Sequence, residues 1–104
     1  MNDDLTAKLG AIKEAHGDIY ITEFDGQEIA FRRPTRFEYR TFKADRADDT
    51  KKTVADERLT QTCVVYPEAL VLGALFDKYP ALASVLAGEI HEAAGGAKLE
   101  VKKA

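Results

Sequence analysis

The alternation of apolar and polar positions divides the chain into six segments. Leu5, Leu9 and Ile12 recur at helical spacing behind Asp3 and Asp4, and Gly17 is placed to close the helix, with His16 in its last turn. The period then switches to two. Asp18–Phe24 and Gln27–Arg33 are β-rich runs joined across Asp25-Gly26, a pair that accepts the positive φ angles of a two-residue hairpin turn. Ile19 and Ile21 alternate with Tyr20 and Thr22, and Ile29 and Phe31 alternate with Glu28, Ala30 and Arg32. The alternation predicts a hairpin over 18–33 with one apolar and one solvated face, covered by helices because a lone hairpin is marginal in water.

Pro34 ends the second strand, and Thr35-Arg36-Phe37-Glu38 is a capping box for a new helix. On that helix Phe37, Thr41 and Ala44 share one side, Tyr39, Phe42 and Arg46 lie nearly opposite, and Arg36, Arg40 and Lys43 form a basic ridge between them. Aromatic side chains on two sides mean that the helix is either sandwiched within the fold or lends one side to a partner. Asp45 to Thr53 is polar and reads as a loop. A third helix carries Ala55, Leu59, Thr62, Cys63 and Tyr66 on one face until Pro67 interrupts it. A fourth fits Glu68 to Lys78 and a fifth Ala81 to Ala94, ended by Gly95-Gly96.

Leu70, Val71, Leu72, Ala74, Leu75, Phe76 and Tyr79 surround the fourth helix almost completely. Such a helix is normally central to a core, so burial within the monomer is preferred to coverage by a second copy or a partner. The fifth helix presents Leu82, Val85, Leu86, Ile90 and Ala93, with small residues Ala83, Ser84, Ala87 and Gly88 for close approach. The expected architecture is α+β, mainly α: an N-terminal helix, one β-hairpin, then about four helices. One globular domain spans 1–94, with 35–94 helical and 95–104 a disordered tail.

Composition narrows the class. The 104 residues are 45% hydrophobic and 32% charged, which suits a globular domain rather than a disordered chain. The longest apolar run, Ala69 to Phe76, is far short of the ~20 residues that span a bilayer. The acidic N-terminus has no apolar leader segment, and the single Cys63 suits a reducing compartment. Net charge is −3 but uneven: residues 1–31 carry two basic against seven acidic groups, and residues 32–58 carry nine against six. A basic segment within an acidic chain points to a local contact surface and away from wholesale nucleic-acid binding.

No pattern of reactive residues emerges. The chain has no phosphate loop, nucleophile elbow or zinc-protease helix. The acidic stretch from Asp45 has Ala47 and Thr50 where a calcium loop needs a ligand and a glycine. His16 and His91 show no ligand-pair spacing. Cys63 lies on the apolar face of its helix, as a buried small hydrophobe, and His91 near Glu89 and Glu92 is most simply a surface residue. Arg32, Arg33, Arg36, Arg40 and Lys43, interleaved with Phe37 and Tyr39, compose either a nucleic-acid contact or a solvated, protein-binding face. Glu38, Asp45 and the acidic balance favour the latter. No catalytic, cofactor-binding or metal site is expected. The candidate partner-binding residues are Arg36, Phe37, Arg40, Phe42 and Lys43, on the helix opened by Thr35.

The run Ile29-Ala-Phe-Arg-Arg-Pro-Thr-Arg-Phe-Glu-Tyr39, then Phe42, resembles the opening of tail assembly chaperones of long-tailed bacteriophages and prophages. So does Cys63-Val-Val-Tyr-Pro-Glu68, followed by Leu75 and Tyr79-Pro-Ala-Leu82. In that family a hairpin leads into an F-x-x-P-T-x-x-E-Y/F helix, then C-V-x-x-P, then Y-P-x-L. The resemblance covers about residues 18–92. It implies a non-catalytic protein that binds the long, mostly helical tape measure protein, keeps it soluble and helps recruit tail tube protein. Such a protein works in the host cytoplasm and is absent from the mature virion. Many members are also made in a longer, frameshifted form, and Gly95-Gly96 with the Lys-rich tail suits the end of the shorter one. Self-association is compatible with this role. The competing classes are a structural tail or head–tail component and a small nucleic-acid-binding regulator.

Overall fold

In the computed structural model, which describes residues 10–11, 13–14, 17–96 and 101–104, Asp25 and Gly26 both take left-handed backbone angles, φ 50° and 77°. They turn strand β1 (Ile19–Phe24) antiparallel onto β2 (Gln27–Arg32), pairing Phe24 with Gln27 and Tyr20 with Phe31. This register places Tyr20, Thr22 and Phe24 on the same face as Ile29 and Phe31, and Ile19 and Ile21 on the other face with Ala30. Both faces therefore carry apolar side chains, where the alternation predicts one apolar and one solvated. Tyr20 stacks on Phe31, and Phe24 meets Tyr79 edge-on.

The predicted N-terminal helix is partly in view. Gly10, Ala11, Lys13 and Glu14 are helical, and the Gly17 amide bonds back to the Lys13 carbonyl at 2.9 Å. Its apolar positions Leu5, Leu9 and Ile12, and His16, lie outside the described residues. Helix α1 (Arg36–Ala47) starts at the capping box: the Glu38 amide donates to Thr35 Oγ1 at 3.1 Å, and Glu38 Oε1 accepts from the Thr35 amide at 2.8 Å. It runs further than expected. Asp45 is a buried helical residue paired with Arg58, not the start of a loop, and the turn begins at Asp48, whose carboxylate accepts from the Thr50 amide.

Helix α2 (Ala55–Cys63) stops one turn before its predicted end. Val64–Tyr66 forms strand β3, which adds to β2 through a register shift so that the sheet order is β1-β2-β3. Two β-branched valines and a tyrosine before Pro67 favour extended backbone, and the free edge of β2 accepts it. Helices α3 (Ala69–Lys78) and α4 (Leu82–His91) follow, and a turn over Glu92–Gly96 closes with Gly95 at φ 97°. Residues 101–104 have no regular structure, and the rest of the predicted tail, 97–100, lies outside the described residues.

The architecture is thus α+β and mainly α, with a three-stranded antiparallel sheet and, among the described residues after the hairpin, four helices. The central helix is α4. It sends Leu82, Ala83 and Leu86 into one core with Ile29, Leu72 and Phe76, and Ala87 and Ile90 into another with Phe31, Phe42, Leu59 and Cys63. The sequence pattern assigns that place to α3, and this is corrected: α3 buries only Leu72 and Phe76. Leu70 is 85% exposed, and Val71 and Ala74 also face solvent. Helix α4 turns apolar side chains toward both cores, whereas α3 turns only one side, Leu72 and Phe76, inward.

Candidate binding surface

Arg32, at the end of β2, is the joint of the structure. Its Nη1 and Nη2 donate to Glu38 Oε1 and Oε2 at 2.8 and 2.9 Å, and Nη2 also donates to the Thr62 carbonyl at 3.0 Å. One guanidinium thereby ties the sheet to the first turn of α1 and the last turn of α2. Its fork geometry matches a carboxylate, and the carbonyls at a helix C-terminus attract positive charge. The guanidinium holds the Glu38 carboxyl down at about 2 and, in return, the carboxylate raises the Arg32 pKa. Arg33 pairs with Asp18 and lies over the Tyr20 ring. Of the five cations read as one basic face, these two are therefore tied into the fold.

The other three stand outward. Arg36, Arg40 and Lys43 are exposed on α1, and among the described residues they have no ion pair. Phe37 beside them is 78% exposed. Phe42, by contrast, is 6% exposed and belongs to the core, with the Arg46 guanidinium over its ring. Four of the five candidate contact residues hence share the solvent side of α1, and Phe42 is set apart from them. The two-sided aromatic pattern resolves into one inward side and one outward side.

Phe42 still bears on the surface, because it floors a groove of about 460 Å³ between α1 and α2. Leu59 and Ala55 complete the floor and Phe37 stands on the rim. Of the polar side chains in the walls, all but the exposed Gln61 have a partner among the described residues. Glu38 is held by Arg32 and Asp45 by Arg58; Thr41 Oγ1 donates to the Phe37 carbonyl and Thr62 Oγ1 to the Arg58 carbonyl. The groove therefore presents apolar surface with little unmet hydrogen-bonding demand. Arg58 and Thr62 have no place among the sequence candidates. Thr62 was read with the apolar face of its helix, and Arg58 gave no signal beyond an ordinary solvated position.

A second set of open apolar side chains lies on α3 and α4, away from the groove. Leu70, Val71 and Ala74 on α3 are exposed, as is Val85 on α4 at 59%. Exposed apolar side chains at consecutive helical positions are unusual on a monomer and mark contact surfaces.

Two residues with reactive side chains are accounted for by packing. Cys63 is fully buried, and loss of hydration pushes its thiol up to about 11 despite the Arg32 charge, so it is a poor nucleophile. His91 is not a plain surface residue: its Nδ1 lies 2.8 Å from the Tyr39 hydroxyl and the two rings stack at 5.7 Å. The C-terminal turn presses on the same imidazole, since a Cβ at Gly96 would lie 2.2 Å from His91 Nε2. Among the described residues no three acidic, histidine or cysteine side chains gather as a metal site. No helix among them is long and apolar enough to cross a membrane.

No protein-family model and no curated protein matches the chain. Among solved structures, an uncharacterised protein from Bacillus stearothermophilus superposes with a TM-score of 0.76, covering 91% of this chain and 99% of that one at 21% identity. At that identity the likeness shows a common fold and nothing of function.

Proposed function

We propose that the protein is a non-catalytic, client-binding assembly factor: a tail assembly chaperone of the kind its sequence resembles, holding the helical tape measure protein in solution until tail tube subunits arrive. The observation that carries this reading is the apolar surface left open on helices, with Leu70 85% and Phe37 78% exposed on a domain that otherwise buries its core. An accessory protein that grips amphipathic helices needs apolar contact area flanked by charge, and it needs no reactive side chain. The exposed cations Arg36, Arg40 and Lys43 on α1, which have no ion pair among the described residues, supply the charge. In this reading the protein acts in the host cytoplasm and leaves before the particle is finished.

The test is co-purification. Tagged protein produced together with a helical fragment of a tape measure protein should retain that fragment, and purified virions should lack the protein. Stoichiometric presence in virions would replace the chaperone with a structural tail component. Salt-sensitive binding of DNA or RNA without retention of the fragment would replace it with a nucleic-acid-binding regulator.

A further inference from the structure

We infer that the groove between α1 and α2 is the seat of an amphipathic helix from another protein, with acidic residues flanking its apolar stripe. This deepens the client-binding reading and rests on it, adding a location and a chemistry. The floor of Phe42, Leu59 and Ala55 accepts apolar side chains, and Phe37 on the rim closes over them. For an occupant's backbone the walls offer little beyond the exposed Gln61. Glu38, Asp45, Thr41 and Thr62 are already hydrogen-bonded or ion-paired within the protein. An extended peptide laid here finds no sheet edge to pair with, whereas a helix brings its hydrogen bonds with it.

Charge sets the sign of the flanks. Inside the groove Glu38 and Asp45 are neutralised by Arg32 and Arg58. Beyond Phe37, Arg36 and Arg40 stand exposed with no ion pair among the described residues, whereas Lys43 lines a separate hollow with Tyr39, Arg46 and His91. The field over the α1 rim is therefore positive on a protein whose net charge is −3. Acidic residues beside an apolar stripe complete that surface, and lysines in their place meet like charge.

The inference is tested with two labelled synthetic helices of about 20 residues, long enough to hold helical structure. Each has leucines on one face; glutamates flank the stripe in one and lysines in the other. Fluorescence anisotropy against the full-length protein should show the glutamate helix binding at least about tenfold more tightly than the lysine helix. Phe37→Ser should weaken the glutamate helix about tenfold. Arg36→Glu with Arg40→Glu should weaken it similarly and favour the lysine helix. These positions are exposed, so each variant should keep the wild-type circular dichroism spectrum. Leu70→Asp, on the other surface, should leave binding unchanged. Equal affinity for the two helices, no binding by either, or loss on Leu70→Asp but not Phe37→Ser would overturn the groove assignment. Retention of a tape measure fragment is read separately, so a failure of the groove leaves that result free to support or refute the chaperone.

Discussion

Replacing Glu38 by Gln separates two jobs that one carboxylate performs. Glutamine still closes the capping box with Thr35, but it cannot form the charged fork to Arg32. The magnitude follows from the carboxyl group's depression from 4.5 to about 2. Fully expressed, a shift of that size corresponds to about 3.4 kcal/mol. Side-chain exposures of 23% for Glu38 and 17% for Arg32 admit enough water to cut this to about 1–2 kcal/mol. For a chain of this length the substitution should lower Tm by about 5–15 °C.

The pH dependence has a definite sign. A carboxylate whose folded pKa is depressed stabilises fully above its unfolded value and loses that contribution as pH falls through the folded one. The stability gap between wild type and Glu38→Gln should be constant above about pH 5.5, less than half as large at about pH 3, and closed near pH 2. Urea unfolding at a series of pH values, followed by circular dichroism, measures it. A gap under about 0.3 kcal/mol at neutral pH, or one that stays unchanged down to pH 3, would refute the role assigned to the Arg32–Glu38 fork.

Gly96→Ala forces a methyl group against the ring and carbonyl of His91, at 2.2 and 2.7 Å, and should cost about 1–2 kcal/mol in urea unfolding. Cys63 should react with a thiol reagent at pH 8 at least about a thousandfold more slowly than in unfolded protein, because it must first be uncovered. Fast labelling of the native protein would contradict its burial. Leu70→Asp should change folding stability by less than about 0.5 kcal/mol, since its side chain makes little contact with the core, yet reduce retention of a tape measure fragment.

Features written in local chemistry were legible in the sequence. Asp25-Gly26 set the hairpin and its register, Thr35 and Glu38 marked the start of α1, and Pro67 and Tyr79-Pro80 separated the last helices. What escaped was decided by partners distant in the chain. Val64–Tyr66 continues the helical spacing of Leu59 and Cys63, and its local β preference is realised as a strand by pairing with β2, over thirty residues earlier. Arg32 reads as one more cation in a basic run until Glu38 and the Thr62 carbonyl fix it inward. His91 finds Tyr39 across 52 positions. The apolar count of α3 implied a central helix, but α4 holds the centre because its side chains enter both cores, and a count does not say which way the side chains point.

The same limit applied to the candidate site. Arg36, Phe37, Arg40 and Lys43 were found together because they sit on one helix, at spacings that periodicity exposes. The groove beside them escaped because its second wall comes from α2, and nothing local to either helix says that they lie side by side.

The central claim is that the open apolar surfaces serve a client, and the soluble fraction of that client tests it most directly. A helical tape measure fragment that aggregates when produced alone should become soluble when the wild-type protein is produced with it. It should return to the pellet when Leu70→Asp and Phe37→Ser are combined in a folded variant. Equal solubility with the wild type, with the double variant and with no partner would contradict the account.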